Sequence, residues 1–96
     1  MPTYISLCRW TLQGVHAIRE SPARLDAAKK VLAADGIKLL NFYMVTGSHD
    51  MVIISEAPND EAMAKSMLRT MSQGGITTET MRAFTEDEYR KIIGSL

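Results

Sequence analysis

The sequence predicts an α+β fold: a ferredoxin-like split βαβ sandwich, a four-stranded antiparallel sheet with two main helices on one face. Three observations lead there. Strand-like and helix-like patterns follow one another as strand, helix, strand, strand, helix, strand, with a short helix at the end. The stretch 37–57 carries apolar residues of both parities on either side of Gly47-Ser48-His49-Asp50, whereas a hairpin lying on a single core alternates apolar with polar. The two helical stripes are enough to cover one face of such a sheet and leave the other without cover.

Thr3 to Trp10 reads as the first strand, with Ile5, Leu7 and Arg9 on one face and Tyr4, Ser6, Cys8 and Trp10 on the other. Thr11 to Glu20 has Val15 and Ile18 at helical spacing but contains Gly14, which weakens a helix, so a short helical turn is expected. Ser21-Pro22 is a start signal, with Ser as cap and Pro at the first helical position. The helix then runs to about Asp35 on a stripe of Leu25, Ala28 and Leu32, beside Val31, and Gly36 stops it. The hairpin follows, with Ile37, Leu39, Leu40, Phe42, Met44 and Val45 before the turn and Met51 to Ile54 after it. Asn59 caps a second helix with Asp60 and Glu61 in its first turn. Its expected inner stripe is Ala64, Met67, Leu68 and Met71, with Met63 at the margin and Gly74-Gly75 at the end. Ile76 to Phe84 is the fourth strand. Thr85 and Glu88 have the spacing of a capping box, opening a last helix expected to turn Tyr89, Ile92 and Ile93 inward.

At 96 residues and 10.7 kDa, residues 1–96 make one small domain. Lys and Arg number 11 against 11 for Asp and Glu, so no net field favours nucleic acid or an anionic membrane. A small molecule or a protein is the expected partner. The apolar runs are too short to span a bilayer, and Met1-Pro2-Thr3-Tyr4 lacks the basic and apolar segments of a secretory leader. Cytoplasmic location is expected, in keeping with the single Cys8, which cannot close an internal disulfide.

Arg9-Trp10-Thr11 with Gly14, Ser21-Pro22 with Arg24, Gly47 to Asp50, Glu56-Ala57-Pro58, Thr78-Glu79-Thr80 and Arg82-Ala83-Phe84 make a set of short motifs spread over nearly the whole chain. In these the chain resembles the GYD domain family, small bacterial and archaeal proteins placed among the dimeric α/β barrels. Of the Gly, Tyr, Asp pattern at the central turn, Gly47 and Asp50 are present and His49 stands in the place of Tyr. The resemblance implies the dimeric barrel and self-association and brings no assigned activity with it. Related barrels include cofactor-independent oxygenases, lactone isomerases and haem-degrading enzymes, a span that selects no chemistry.

Candidate chemistry sits beside simpler readings. His49 and Asp50 could form an acid-base pair at a barrel mouth, although Gly, Ser and Asp are also ordinary turn residues, and neighbouring strand side chains point apart. Arg9, Trp10, Tyr43 and Arg82 suit a planar, anionic organic ligand, or they pack in an interface, where aromatic residues and Arg are enriched. His16 is expected on the surface. The seven Met residues read as core filling, with Met63, Met67 and Met71 at helical spacing. Two separated His and one Cys do not make a ligand set, so no metal and no cofactor are expected. Cys8 reads as a buried thiol. The sequence therefore points to a homodimer or larger homo-oligomer binding a small apolar or aromatic metabolite. The alternatives are a cofactor-independent oxygenase or isomerase and a purely structural or interaction subunit.

Overall fold

The computed structural model describes residues 1–96. Its elements are β1 (Thr3–Trp10), α1 (Leu12–His16), a 3-10 turn (Ile18–Glu20), α2 (Ser21–Ala34), β2 (Lys38–Met44), β3 (Met51–Glu56), α3 (Asp60–Met71), β4 (Ile76–Ala83) and α4 (Glu86–Gly94). The strands form one antiparallel sheet in the order β2-β3-β1-β4, the arrangement of a ferredoxin-like sandwich.

Register and alternation assign the two faces. Tyr4, Ser6 and Cys8 of β1 are buried and stand beside Ser55 and Met51 of β3 and Thr78, Thr80 and Arg82 of β4. This face meets the helices, because Tyr4 packs with Leu32 of α2, Met63 of α3, Ile37 and Ala57, and Leu39 and Met67 complete the cluster. Ile5, Leu7, Val52, Ile54, Tyr43 and Met81 share the opposite face. The molecule measures 49 × 31 × 17 Å, and the shortest dimension has room for one sheet and one helical layer. Within the chain the second face stays bare.

Several expectations are adjusted. Ser21 does not cap α2: the 3-10 turn runs straight into the helix, Ser21 itself has helical angles, and Glu20 occupies the cap position without a side-chain bond. Gly36 ends α2 as expected, at φ +78°, a conformation that favours Gly. In α3 the inward stripe is Met63, Ser66, Met67 and Thr70, and Leu68 and Ala64 lie on the exposed side. A search for apolar periodicity passes over Ser66 and Thr70, yet their small side chains let α3 lie close to the sheet, and the Thr70 hydroxyl donates to Ser66 O (2.9 Å). Beneath them Ser6 Oγ and Thr80 Oγ1 are 2.9 Å apart, so the inward-facing hydroxyls have partners.

The largest correction concerns α4. Tyr89, Ile92 and Ile93, expected inward, are 57, 45 and 51% exposed, and α4 buries none of its residues. The helix is well started, with the capping box of Thr85 and Glu88 formed in both directions. The Arg82 guanidinium lies 4.5 Å from the Phe84 ring and 3.7 Å from Glu88. These contacts hold the start of α4 at the end of β4, and its apolar stripe stays exposed in its own chain.

Gly14 has a steric reason to be glycine. A Cβ there would stand 2.1 Å from Gly75 O, at the point where the Thr11 amide donates to Gly75 O (3.1 Å) and the Thr11 hydroxyl to Gly74 O (2.5 Å).

Candidate functional site

The bare sheet face and the hairpin tip at one of its ends form the candidate site. Gly47, at φ +135°, lets the chain turn. The Val45 amide then donates to Asp50 O (2.8 Å), and the Asp50 amide to Cys8 O (2.9 Å). The Asp50 carboxylate accepts from the Trp10 amide (3.0 Å). Asp50 thus fastens the tip to β1, and its side chain is not directed to His49.

His49 turns to another acid. Its Nε2 lies 3.1 Å from Glu79 Oε2 and its Nδ1 3.2 Å from Ser48 Oγ. The assignment satisfying both contacts has Nε2–H donating to the carboxylate and the Ser48 hydroxyl donating to Nδ1. Glu79 stands opposite Leu7, which puts the pair at the rim of the bare face, and Arg9 Nε donates to Ser48 O (2.5 Å) alongside it. The Glu79 side chain is 71% exposed, so water screens the pair, and it is worth at most about 1 kcal/mol. It orients the imidazole and gives the apolar face one polar edge. Glu79 was legible in principle: it is the only charged residue in the Thr-rich first part of the fourth strand, on the same parity as Met81.

The four proposed ligand residues do not converge. Arg9 and Tyr43 lie on the bare face, whereas Trp10 and Arg82 alternate to the helix-bearing face, beside Ile76 and Tyr4 respectively. Arg82 is also committed to Phe84, Glu88 and the carbonyl of Thr3 (3.4 Å). His16 is exposed. A groove of about 770 Å³ opens between α2 and β2, lined by Leu25, Ile37, Leu40 and Phe42 among others, with Lys29 and Lys38 at its sides. It contains none of the six candidate residues.

Two titrating groups on the helix side are shifted. Burial pushes the Cys8 thiol up to about 11, which leaves it protonated at neutral pH. Burial first, and then the hydrogen bond and charge of Asp60, raise the Tyr4 hydroxyl above its ordinary range. That bond anchors the start of α3 to β1, a contact with no local signal in the sequence.

Known proteins share this fold. A family model described as the GYD domain matches residues 4–93. The chain belongs to the GYD domain family. A relative from Thermus thermophilus, the glutamine synthetase and cystathionine beta-lyase binding protein, is 32% identical over 84 residues, covering 86% of this chain and 88% of the relative. The crystal structure of TTHA0845 from Thermus thermophilus aligns with a TM-score of 0.57 at 24% identity, over 88% of this chain and 95% of that one. The GYD chain and TTHA0845 share the α+β fold. No helix of the GYD chain is long and apolar enough to cross a membrane.

Proposed function

We propose that this GYD protein is a self-associating interaction subunit: its bare sheet face pairs with a second copy, and the assembly docks on a protein partner. The observation that carries the proposal is the group Ile5, Leu7, Tyr43, Val52, Ile54 and Met81, six apolar side chains on one face with no cover in the chain. Most are already about two-thirds shielded or better by their neighbours. If each gains roughly 0.8 to 1 kcal/mol on full burial, two such faces yield on the order of 10 kcal/mol, within the range of the association cost of roughly 4–15 kcal/mol. Gain and cost are then comparable, so pairing is sensitive to any charge placed in the face.

The partner class is supported by the relative from Thermus thermophilus, whose name records binding to two metabolic enzymes. Exposed Leu12 and Val15 on α1 and Leu68 on α3 provide further apolar contact points of the kind that mark interaction surfaces. The metabolite-binding reading has less behind it, since Arg9, Trp10, Tyr43 and Arg82 are divided between two faces. So has the oxygenase or isomerase reading, since His49 pairs with a water-exposed acid and lies outside the groove.

The test is direct binding by biolayer interferometry to purified glutamine synthetase and cystathionine beta-lyase from the same organism. Saturable binding to at least one is expected. Failure to bind either enzyme, together with retention of a small molecule in native mass spectrometry, would favour the metabolite reading instead.

A further inference from the structure

We propose that α4 of one protomer docks in the groove between α2 and β2 of a second copy, so that the two chains exchange their terminal helices. The inference rests on the sheet pairing above and adds a second, distinct contact to it. The helix supplies one half of the argument. Tyr89, Ile92 and Ile93 are spaced by three and four residues and form an exposed apolar stripe, and Glu86, Asp87 and Glu88 crowd its first turn. The groove supplies the other half, with Leu25, Ile37, Leu40 and Phe42 in its lining and Lys29 and Lys38 beside them. Apolar surface faces apolar surface, and Asp87, the acid of that turn without an ion pair in its own chain, is left to meet the amines, while Glu86 also holds Arg90 (2.8 Å) and Glu88 holds Arg82.

Topology separates the two halves within one chain and joins them across a pair. β4 and β2 are the opposite edges of the sheet, about 14 Å apart at the usual strand spacing, and Arg82, Phe84 and the capping box fix the launch of α4 at the β4 edge. Ala83 pairs with Thr3, Thr3 with Glu56 and Glu56 with Lys38, so the end of β4 and the start of β2 lie at the same end of the sheet. A twofold axis parallel to the strands lays the β4 edge of one protomer over the β2 edge of the other with those ends level. The α4 helix, about 13 Å long, then emerges beside its partner's groove.

The experiment is disulfide trapping between two differently tagged full-length chains, one carrying Ile92→Cys and the other Phe42→Cys, mixed, exchanged and oxidised. Cys8 is fully buried and does not compete. A mixed covalent dimer is expected, with its yield lost when Lys29→Glu and Lys38→Glu are added and recovered when Glu86→Lys and Asp87→Lys are placed on the helix-bearing chain. A mixture that sediments as a dimer but yields no mixed disulfide overturns the exchange and leaves the sheet pairing standing. A monomeric mixture overturns both. A single chain carrying both substitutions that closes an internal bond at high dilution, with no mixed dimer in the two-chain experiment, places α4 in its own groove and overturns the exchange.

Discussion

Cys8 and Gly14 make opposite demands on the chain at the residue scale. Cys8 is fully buried between the sheet and the helices, with its thiol pushed up to about 11 by burial. Labelling with a thiol-reactive disulfide reagent at pH 8 is expected to be slower by two orders of magnitude or more in the native protein than in denaturant, roughly the ratio that thiolate scarcity and blocked access impose together. Fast labelling of the native protein would show that the helical layer opens readily. Gly14 is defined by what it excludes: a methyl group there would strike Gly75 O, and Gly14→Ala is expected to cost about 1–3 kcal/mol in urea unfolding. Of the candidate site residues, Gly47 and Asp50 were legible because turn chemistry is local. The His49–Glu79 contact was not, since it depends on strand register between residues far apart in the sequence, and the same is true of Tyr4 with Asp60.

At the scale of the element, α4 is both the best-signalled helix and the least supported. Its capping box was readable from Thr85 and Glu88, because the interaction spans three residues. Its orientation was not, because the side that an apolar stripe faces depends on the surfaces around it and not on its spacing. The stripe of α3 shows the converse, where Ser66 and Thr70 escape a search for apolar periodicity because hydroxyls that bond locally can be buried cheaply. Thr85→Ala is expected to reduce α4 helicity by about 1 kcal/mol of cap energy, seen as faster amide exchange confined to residues 86–94. The amide of Thr85 is the main reason Glu88 is held below the usual carboxylate range, with Thr85's hydroxyl and Arg82 adding to it and desolvation opposing. The ionised form therefore favours the folded cap. Its contribution is complete above the ordinary Glu pKa of about 4.3 and is lost as pH falls through the lowered folded value. Protection factors of the α4 amides, corrected for intrinsic exchange, should fall below about pH 4 in a manner absent from a Glu88→Gln variant.

For the whole molecule, the strand-helix order fixed the sheet topology in advance, because split βαβ connections leave few alternatives. The uncovered face was also legible, since apolar residues of both parities in β1, β2 and β3 cannot all be covered by two helices. Only 11 of 96 residues are buried in the single chain, which supports the proposed pairing. The identity of any protein partner was beyond the sequence because neutral charge and scattered exposed apolar residues are shared by many interfaces. Sedimentation velocity over a dilution series tests the central claim most directly. The wild-type chain is expected to sediment at twice its 10.7 kDa mass or more, and Leu7→Glu, placing a charge at the centre of the bare face beside Glu79, at the single-chain mass with its circular dichroism unchanged. A wild-type protein that sediments as one chain throughout, at tens of micromolar, would contradict the account.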